Sequence, residues 1–269
     1  MTALLALGTS VLSSCAFWDM SDWSSEAGNA GGGPGDGSAD ASAVTDATDD
    51  ADGADIPVLA RDGFSRSVTG AFGEAEVGGA WQTAGNGEPF AVDGEAGIIT
   101  VLTPGSGPNA ALPAVVSDDV DMQVLIASEK NGGGSGLYVS VIPRRVSGVS
   151  TGYIASFVID ADGHVAARMT RVNDEVFERV PNILTLAAGE AFRARVQATG
   201  RSPTRLRSKA WKSSQPEPPT WTIDVTDETP SLQAPGAVAL NVFLSSTAEN
   251  APIAVRFDDL LVRPASRVP

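Results

Sequence analysis

Between Leu137 and Trp211 the chain divides into short pieces: Leu137–Val146, Tyr153–Asp160, His164–Val172, Ala191–Thr199 and Arg205–Trp211. Each alternates apolar with polar residues and is bounded by Gly, Asp, Asn, Ser or Pro. A period of two sends successive side chains to opposite faces, the pattern of a half-buried antiparallel strand. Between two of the pieces, Ala161-Asp162-Gly163 reads as a tight hairpin turn with glycine where positive φ is needed. Shorter segments continue the theme: Pro89–Val92 with Ile98–Leu102, Ala110–Val116, Val120–Ala127, Thr220–Asp227, Gly236–Leu244 and Pro252–Val262. Helical periodicity is nowhere sustained in this region, and only Ile183–Ala188 reads as one turn. About a dozen short strands predict an all-β sandwich or barrel.

The first sixty residues differ from the rest in having no Lys or Arg but ten acids. From Ser24 to Ala54 the only apolar side chains are Ala and one Val, too little to offset chain entropy, so the expectation is a disordered, extended tether. Upstream, the apolar run Thr2–Leu12 is too short to span a bilayer and ends at Leu12-Ser13-Ser14-Cys15, which holds the only cysteine. This resembles the lipobox of bacterial lipoprotein signal peptides, although the usual basic start is missing. The resemblance implies removal of residues 1–14, diacylation of Cys15 and anchoring on the extracellular face of the cell membrane. Lipid chains contribute about 0.8 kcal/mol per buried CH₂. The expected organisation is a signal peptide 1–14, a linker 15–60 and a folded domain 61–265.

Within that domain an ordered set of motifs resembles the concanavalin A-like (laminin-G-like) jelly-roll modules of secreted actinobacterial proteins and phage minor tail proteins. The matching residues are Phe64-Ser65-Arg66, Gly79-Ala80-Trp81, Leu206 with Trp211, Glu217-Pro218 with Trp221, Asp227, Gln233-Ala234-Pro235-Gly236 and Phe257-Asp258-Asp259-Leu260. The resemblance implies a two-sheet antiparallel jelly-roll sandwich with first and last strands adjacent, and a sheet face that binds saccharide in some relatives.

Motifs for catalysis are sparse. His164, the only histidine, lies on a hairpin shoulder, and no nucleophile elbow or zinc-protease signature occurs. Glu74-Ala75-Glu76 is the nearest approach to a glycosidase carboxylate pair and reads as a solvated turn. The expectation is therefore a protein that is not an enzyme and needs no cofactor. Asp160-Ala161-Asp162-Gly163 reads as a turn; the candidate structural calcium site is Asp62 with Asp258 and Asp259, where an inward carboxylate needs a metal or an arginine such as Arg66.

Charge is distributed unevenly. The net charge is −15, which argues against nucleic-acid binding. Yet twelve of the 18 basic residues lie between Arg144 and Lys212, against six acids there. Alternation places Arg193 and Arg195 on one face, and Arg205, Arg207, Lys209 and Trp211 on another that adjoins it if the strands pair. The candidate ligand site is Trp211, Arg193, Arg195, Arg207 and Lys209, offering bidentate donors and a stacking ring to an acidic extracellular glycan. The alternatives are an ordinary charged, solvent-facing sheet, and a structural or adhesion protein that packs its jelly roll on another protein.

Overall fold

A computed structural model describes residues 57–85, 89–146, 152–171 and 175–266. Cys15, the signal-peptide segment and the linker up to residue 56 lie outside the described residues. The domain already includes the last residues of the expected linker: Leu59 N donates to Val262 O at 2.8 Å, and the first strand starts at Ala60.

Among the described residues, sixteen strands form two antiparallel sheets. In chain order they are β1 (Ala60–Asp62), β2 (Ser67–Thr69), β3 (Gln82–Ala84), β4 (Phe90–Asp93), β5 (Gly97–Val101), β6 (Asn109–Ser117), β7 (Val120–Ser128) and β8 (Leu137–Arg145). There follow β9 (Tyr153–Ile159), β10 (His164–Arg171), β11 (Glu175–Thr185), β12 (Phe192–Thr199), β13 (Thr204–Lys212), β14 (Ile223–Asp227), β15 (Gly236–Leu244) and β16 (Ile253–Arg263). The first sheet runs β14-β13-β12-β7-β16-β5-β4-β2, with β1 also on β16; the second runs β11-β10-β9-β8-β15-β6-β3. Terminal strands are adjacent as expected, Ala60 opposite Val262.

The alternating stretch that led to this architecture is divided between the layers: β8–β11 belong to the second sheet and β12–β13 to the first. Their inward residues meet in one core, where Phe157 of β9 packs edge-on against Phe192 of β12 at 5.9 Å between ring centroids. One expectation fails: Ile183–Ala188 is not a helical turn, since residues through Thr185 belong to β11, an edge strand. Two register irregularities against β10 and a positive φ at Asn182 interrupt its alternation, which hid the strand. Pro181 is tolerated because an edge strand leaves one side of its backbone unpaired.

Two buried polar clusters clamp the sandwich. Asp62 is fully buried, and its Oδ1 accepts from Phe64 N (2.9 Å) and Arg66 Nη1 (2.7 Å). Its Oδ2 accepts from Arg66 Nη2 (2.8 Å) and Trp81 Nε1 (2.7 Å). Phe64 lies over Gly97, where any Cβ would come within 2.5 Å of the ring. In the second cluster Arg144 is wholly buried and donates to the carbonyls of Asp118 (3.0 Å) and Gly200 (2.9 Å) and to Thr204. Nearby, Tyr153 Oη donates to Asp227 (2.7 Å) and accepts from Gln233 (3.0 Å), while Arg171 pairs with Asp227. Burial and that carboxylate push the Tyr153 phenol up to about 12. Arg66, Trp81, Asp227 and Gln233, which carried the family resemblance, thus hold the fold together.

Candidate functional site

The expected basic face exists. Strands β12 and β13 pair with Arg193 opposite Trp211, Arg195 opposite Lys209 and Gln197 opposite Arg207, all on the outward side of the first sheet. Most of its cations, however, are engaged. Arg193 pairs with Asp259 (2.7 Å), and Arg205 with Asp224 (2.7 Å). Arg195 holds Asp121 in a two-pronged contact (2.9 and 2.5 Å) and Glu217 at 2.6 Å. Lys209 is only 4% exposed, between Glu217 (2.7 Å) and the Pro218 carbonyl (2.7 Å). Hydrogen bonding to Asp121 raises the Arg195 pKa further. Burial by itself would raise the Glu217 carboxyl, but its bonds to Lys209 and Arg195 outweigh this and hold it below the ordinary range.

Trp211 does not serve as a stacking platform. It lies on the outward side, next to core-facing Ala210, yet is only 6% exposed; beside it the chain after β13 returns over the sheet, its Pro218 carbonyl accepting from Lys209. The ring that the cations surround is Trp221: Lys209 Nζ lies 4.6 Å from its centroid, and the Arg207 and Arg195 guanidinium carbons at 5.1 and 5.7 Å. Sequence reasoning had noted Trp221 only as a family motif, since its place opposite the cations depends on that return segment.

The expected metal set is not assembled. Asp62 points inward and its carboxylate is fully occupied by the donors named above. Alternation required one of Asp258 and Asp259 to face inward, but a bulge between Asp258 and Leu261 lifts both out of the core. Asp259 takes a positive φ of 49° and pairs with Arg193. On the β9–β10 hairpin, Asp160 Oδ1 caps the turn through the backbone N–H groups of Asp162 and His164, each at 2.9 Å. Asp160, Asp162 and His164 converge within 4.8 Å, and this group is partly exposed to fully exposed. Glu74 and Glu76 also lie in a turn, with Glu76 accepting from Gly63 N at 3.1 Å.

A different arrangement occupies the outward face of the second sheet. Cross-strand register aligns Asn109 (β6), Asn241 (β15), Ser140 (β8), Ser156 (β9), Arg168 (β10) and Arg179 (β11) in one row. Five inter-strand spacings of about 4.8 Å make the row about 24 Å long. Each row member on the central strands sits between two core-facing residues, as Ser156 does between Ala155 and Phe157. Although they face away from the core, Asn241, Ser140, Ser156 and Asn109 are only 0–6% exposed. Ser140 and Ser156 share a hydrogen bond of 2.8 Å, and Asn241 Nδ2 donates to the carbonyls of Gly107 (3.1 Å) and Pro108 (2.8 Å).

Apolar residues flank this polar floor. On one side Tyr138 and Phe243 meet edge to face at 5.8 Å, with Arg168 over the Tyr138 ring at 5.6 Å. On the other, Ala111, Ile142, Ile154 and Ala239 form a small apolar cluster separate from the core. The result is a shallow trough beside Tyr138 and Phe243, crossing the strands over nearly buried hydroxyl and amide groups, with arginines at one end.

No protein-family model matches this chain, and no curated protein resembles it in sequence. Solved structures do match in shape. The non-specific endo-β-1,3(4)-glucanase SCLam of family GH16 aligns over 78% of this chain and 91% of its own, at 11% identity and a TM-score of 0.52. A β-1,3-glucanase from Mycobacterium marinum aligns over 77% and 99%, at 12% identity and a TM-score of 0.51. A variant of alginate lyase Aly36B, in complex with an alginate tetrasaccharide, aligns over 77% and 98%, at 12% identity and a TM-score of 0.51. The shared feature is the fold, a concanavalin A-like jelly roll, as the motifs implied. These neighbours correct the expectation that the chain is not an enzyme: all three are enzymes on this architecture, so a lack of familiar motifs is no argument against catalysis.

Proposed function

We propose that this protein engages an extended polysaccharide in the trough of its second sheet, held at the cell surface by a lipid on Cys15. The observation that carries the reading is the cross-strand row from Asn109 to Arg179, where the partly exposed Tyr138, Phe243 and Arg168 and the exposed Arg179 stand beside nearly buried Asn and Ser side chains. Sugars present hydroxyl and acidic edges to guanidinium groups and apolar ring faces to aromatics, and a track across several strands fits a linear chain. Saccharide chemistry in neighbours of the same fold supports the substrate class. The lipobox resemblance and the acidic, cation-free N-terminal tract support a tethered extracellular location.

An adhesion role fits this surface less well. Among the described residues the exposed large hydrophobics are Val77, Leu102, Val116 and Val176, on four separate segments, and the trough's apolar cluster is itself buried. The test is incubation of the full chain with a panel of β-glucans and uronans, read for retention and for chain shortening. Retention or cleavage of at least one polymer, lost in Tyr138→Ala, is expected; indifference to every polymer would contradict the proposal.

A further inference from the structure

Five cations point outward from β12 and β13, and four of them end on carboxylates: Arg193 on Asp259, Arg195 on Asp121 and Glu217, Arg205 on Asp224, Lys209 on Glu217. Arg207 is the fifth. Its cross-strand neighbours are Gln197 and Asp224, but Asp224 is gripped at both oxygens by Arg205 (2.8 and 2.7 Å). Asp121, the next carboxylate on this face, is shared between Arg195 and Gln197 (2.7 Å). The Arg207 guanidinium therefore rests on Trp221 with no carboxylate of its own, and its buried Nε has no hydrogen-bond partner. Gln197 Oε1, directly across the strand, is likewise buried and unpartnered. Burial and the neighbouring Arg205 disfavour the charged form of Arg207.

We propose that Arg207, seated on Trp221, is a second binding site that takes one carboxylate or sulfate group of an acidic saccharide. The site lies on the sheet opposite the trough and is independent of it. A guanidinium offers paired donors matched to an oxyanion. An incoming oxyanion would supply the countercharge that Asp224 and Asp121 give to other residues. It would also relieve the repulsion from Arg205 and Arg195.

The experiment follows the Trp221 indole Nε1–Hε1 resonance of the full chain, beside Arg207, during separate titrations with sodium sulfate and with a trihexuronate. Saturable shifts with both probes are expected, absent in Arg207→Gln and unchanged in Tyr138→Ala, which separates this site from the trough. Two further variants fix the sign without touching Arg207. Asp224→Asn leaves Arg205 without its carboxylate and should tighten binding by about tenfold, as one more charge-assisted contact would. Arg205→Gln releases Asp224 to pair with Arg207 and should weaken binding. Equal binding in wild type and Arg207→Gln, or loss in Tyr138→Ala, would overturn the site. A sulfate response with none to the trihexuronate would overturn the saccharide assignment.

Discussion

The two sheets present very different outward faces. On the first, long charged side chains alternate with core residues, and ion pairs link β7, β12, β13 and β14 across the surface. On the second, strands such as Tyr153–Ile159 are buried along their whole length, and the outward positions hold Ser, Asn, Ala, Ile, an aromatic pair and, toward the β11 edge, Arg168 and Arg179. The charged face drew attention in the sequence, yet most of it is internally neutralised. Exposed pairs of this kind contribute little stability but keep a broad sheet soluble. The quieter face carries the trough. Dense charge on an alternating strand thus marks solvation first, whereas small polar residues interrupting an apolar strand mark a recessed surface.

The largest effect should come from neither face. Asp62→Ala strands the Arg66 guanidinium and the Trp81 indole N–H, so about 3–5 kcal/mol should be lost in urea denaturation. A loss below about 1 kcal/mol would mean these donors find other partners. Next is Trp211→Ala, which removes a nearly buried ring; about 3 kcal/mol is expected, with polysaccharide retention intact once folded. Were retention lost instead, the first face would be the binding face.

Acidification separates the faces as well. Glu217 titrates below the ordinary glutamate value of about 4.3, so its contribution is fully present above that pH and is lost as pH falls through the lower folded value. An acid-induced change in tryptophan fluorescence, as the segment that carries Trp221 loosens, should vanish in Glu217→Gln. The smallest effect belongs to the exposed pair Arg205–Asp224, where a double-mutant cycle should return less than about 1 kcal/mol. A larger coupling would mean that the charged lattice is structural.

The fold was legible because alternation and turn residues survive in most strands: the pieces at Tyr153, His164 and Ala191 match β9, β10 and β12 within a residue or two. Bulges defeated the reading elsewhere. They concealed β11 and turned both Asp258 and Asp259 away from the core. Of the candidate site, the shared face of Arg193, Arg195, Arg207 and Lys209 was readable from the period of two. Their partners were not, because Asp121, Glu217, Asp224 and Asp259 come from other segments. Trp211 was read on the correct side but as open, since no local pattern shows that it is nearly buried in the folded chain. Ser140, Ser156 and Asn241 become a row only through the register of three different strands, which single-chain periodicity does not contain.

The central claim is that saccharide lies in the trough of the second sheet, and calorimetric titration of paired variants tests it directly. Ser140→Tyr places a ring on the trough floor while leaving inward Val139 and Val141 in the core. Arg193→Gln alters the opposite face by one exposed charge. With a polymer retained by the wild type, Ser140→Tyr should abolish the binding heat and Arg193→Gln should leave it unchanged. Unaltered binding by a folded Ser140→Tyr variant would contradict the account.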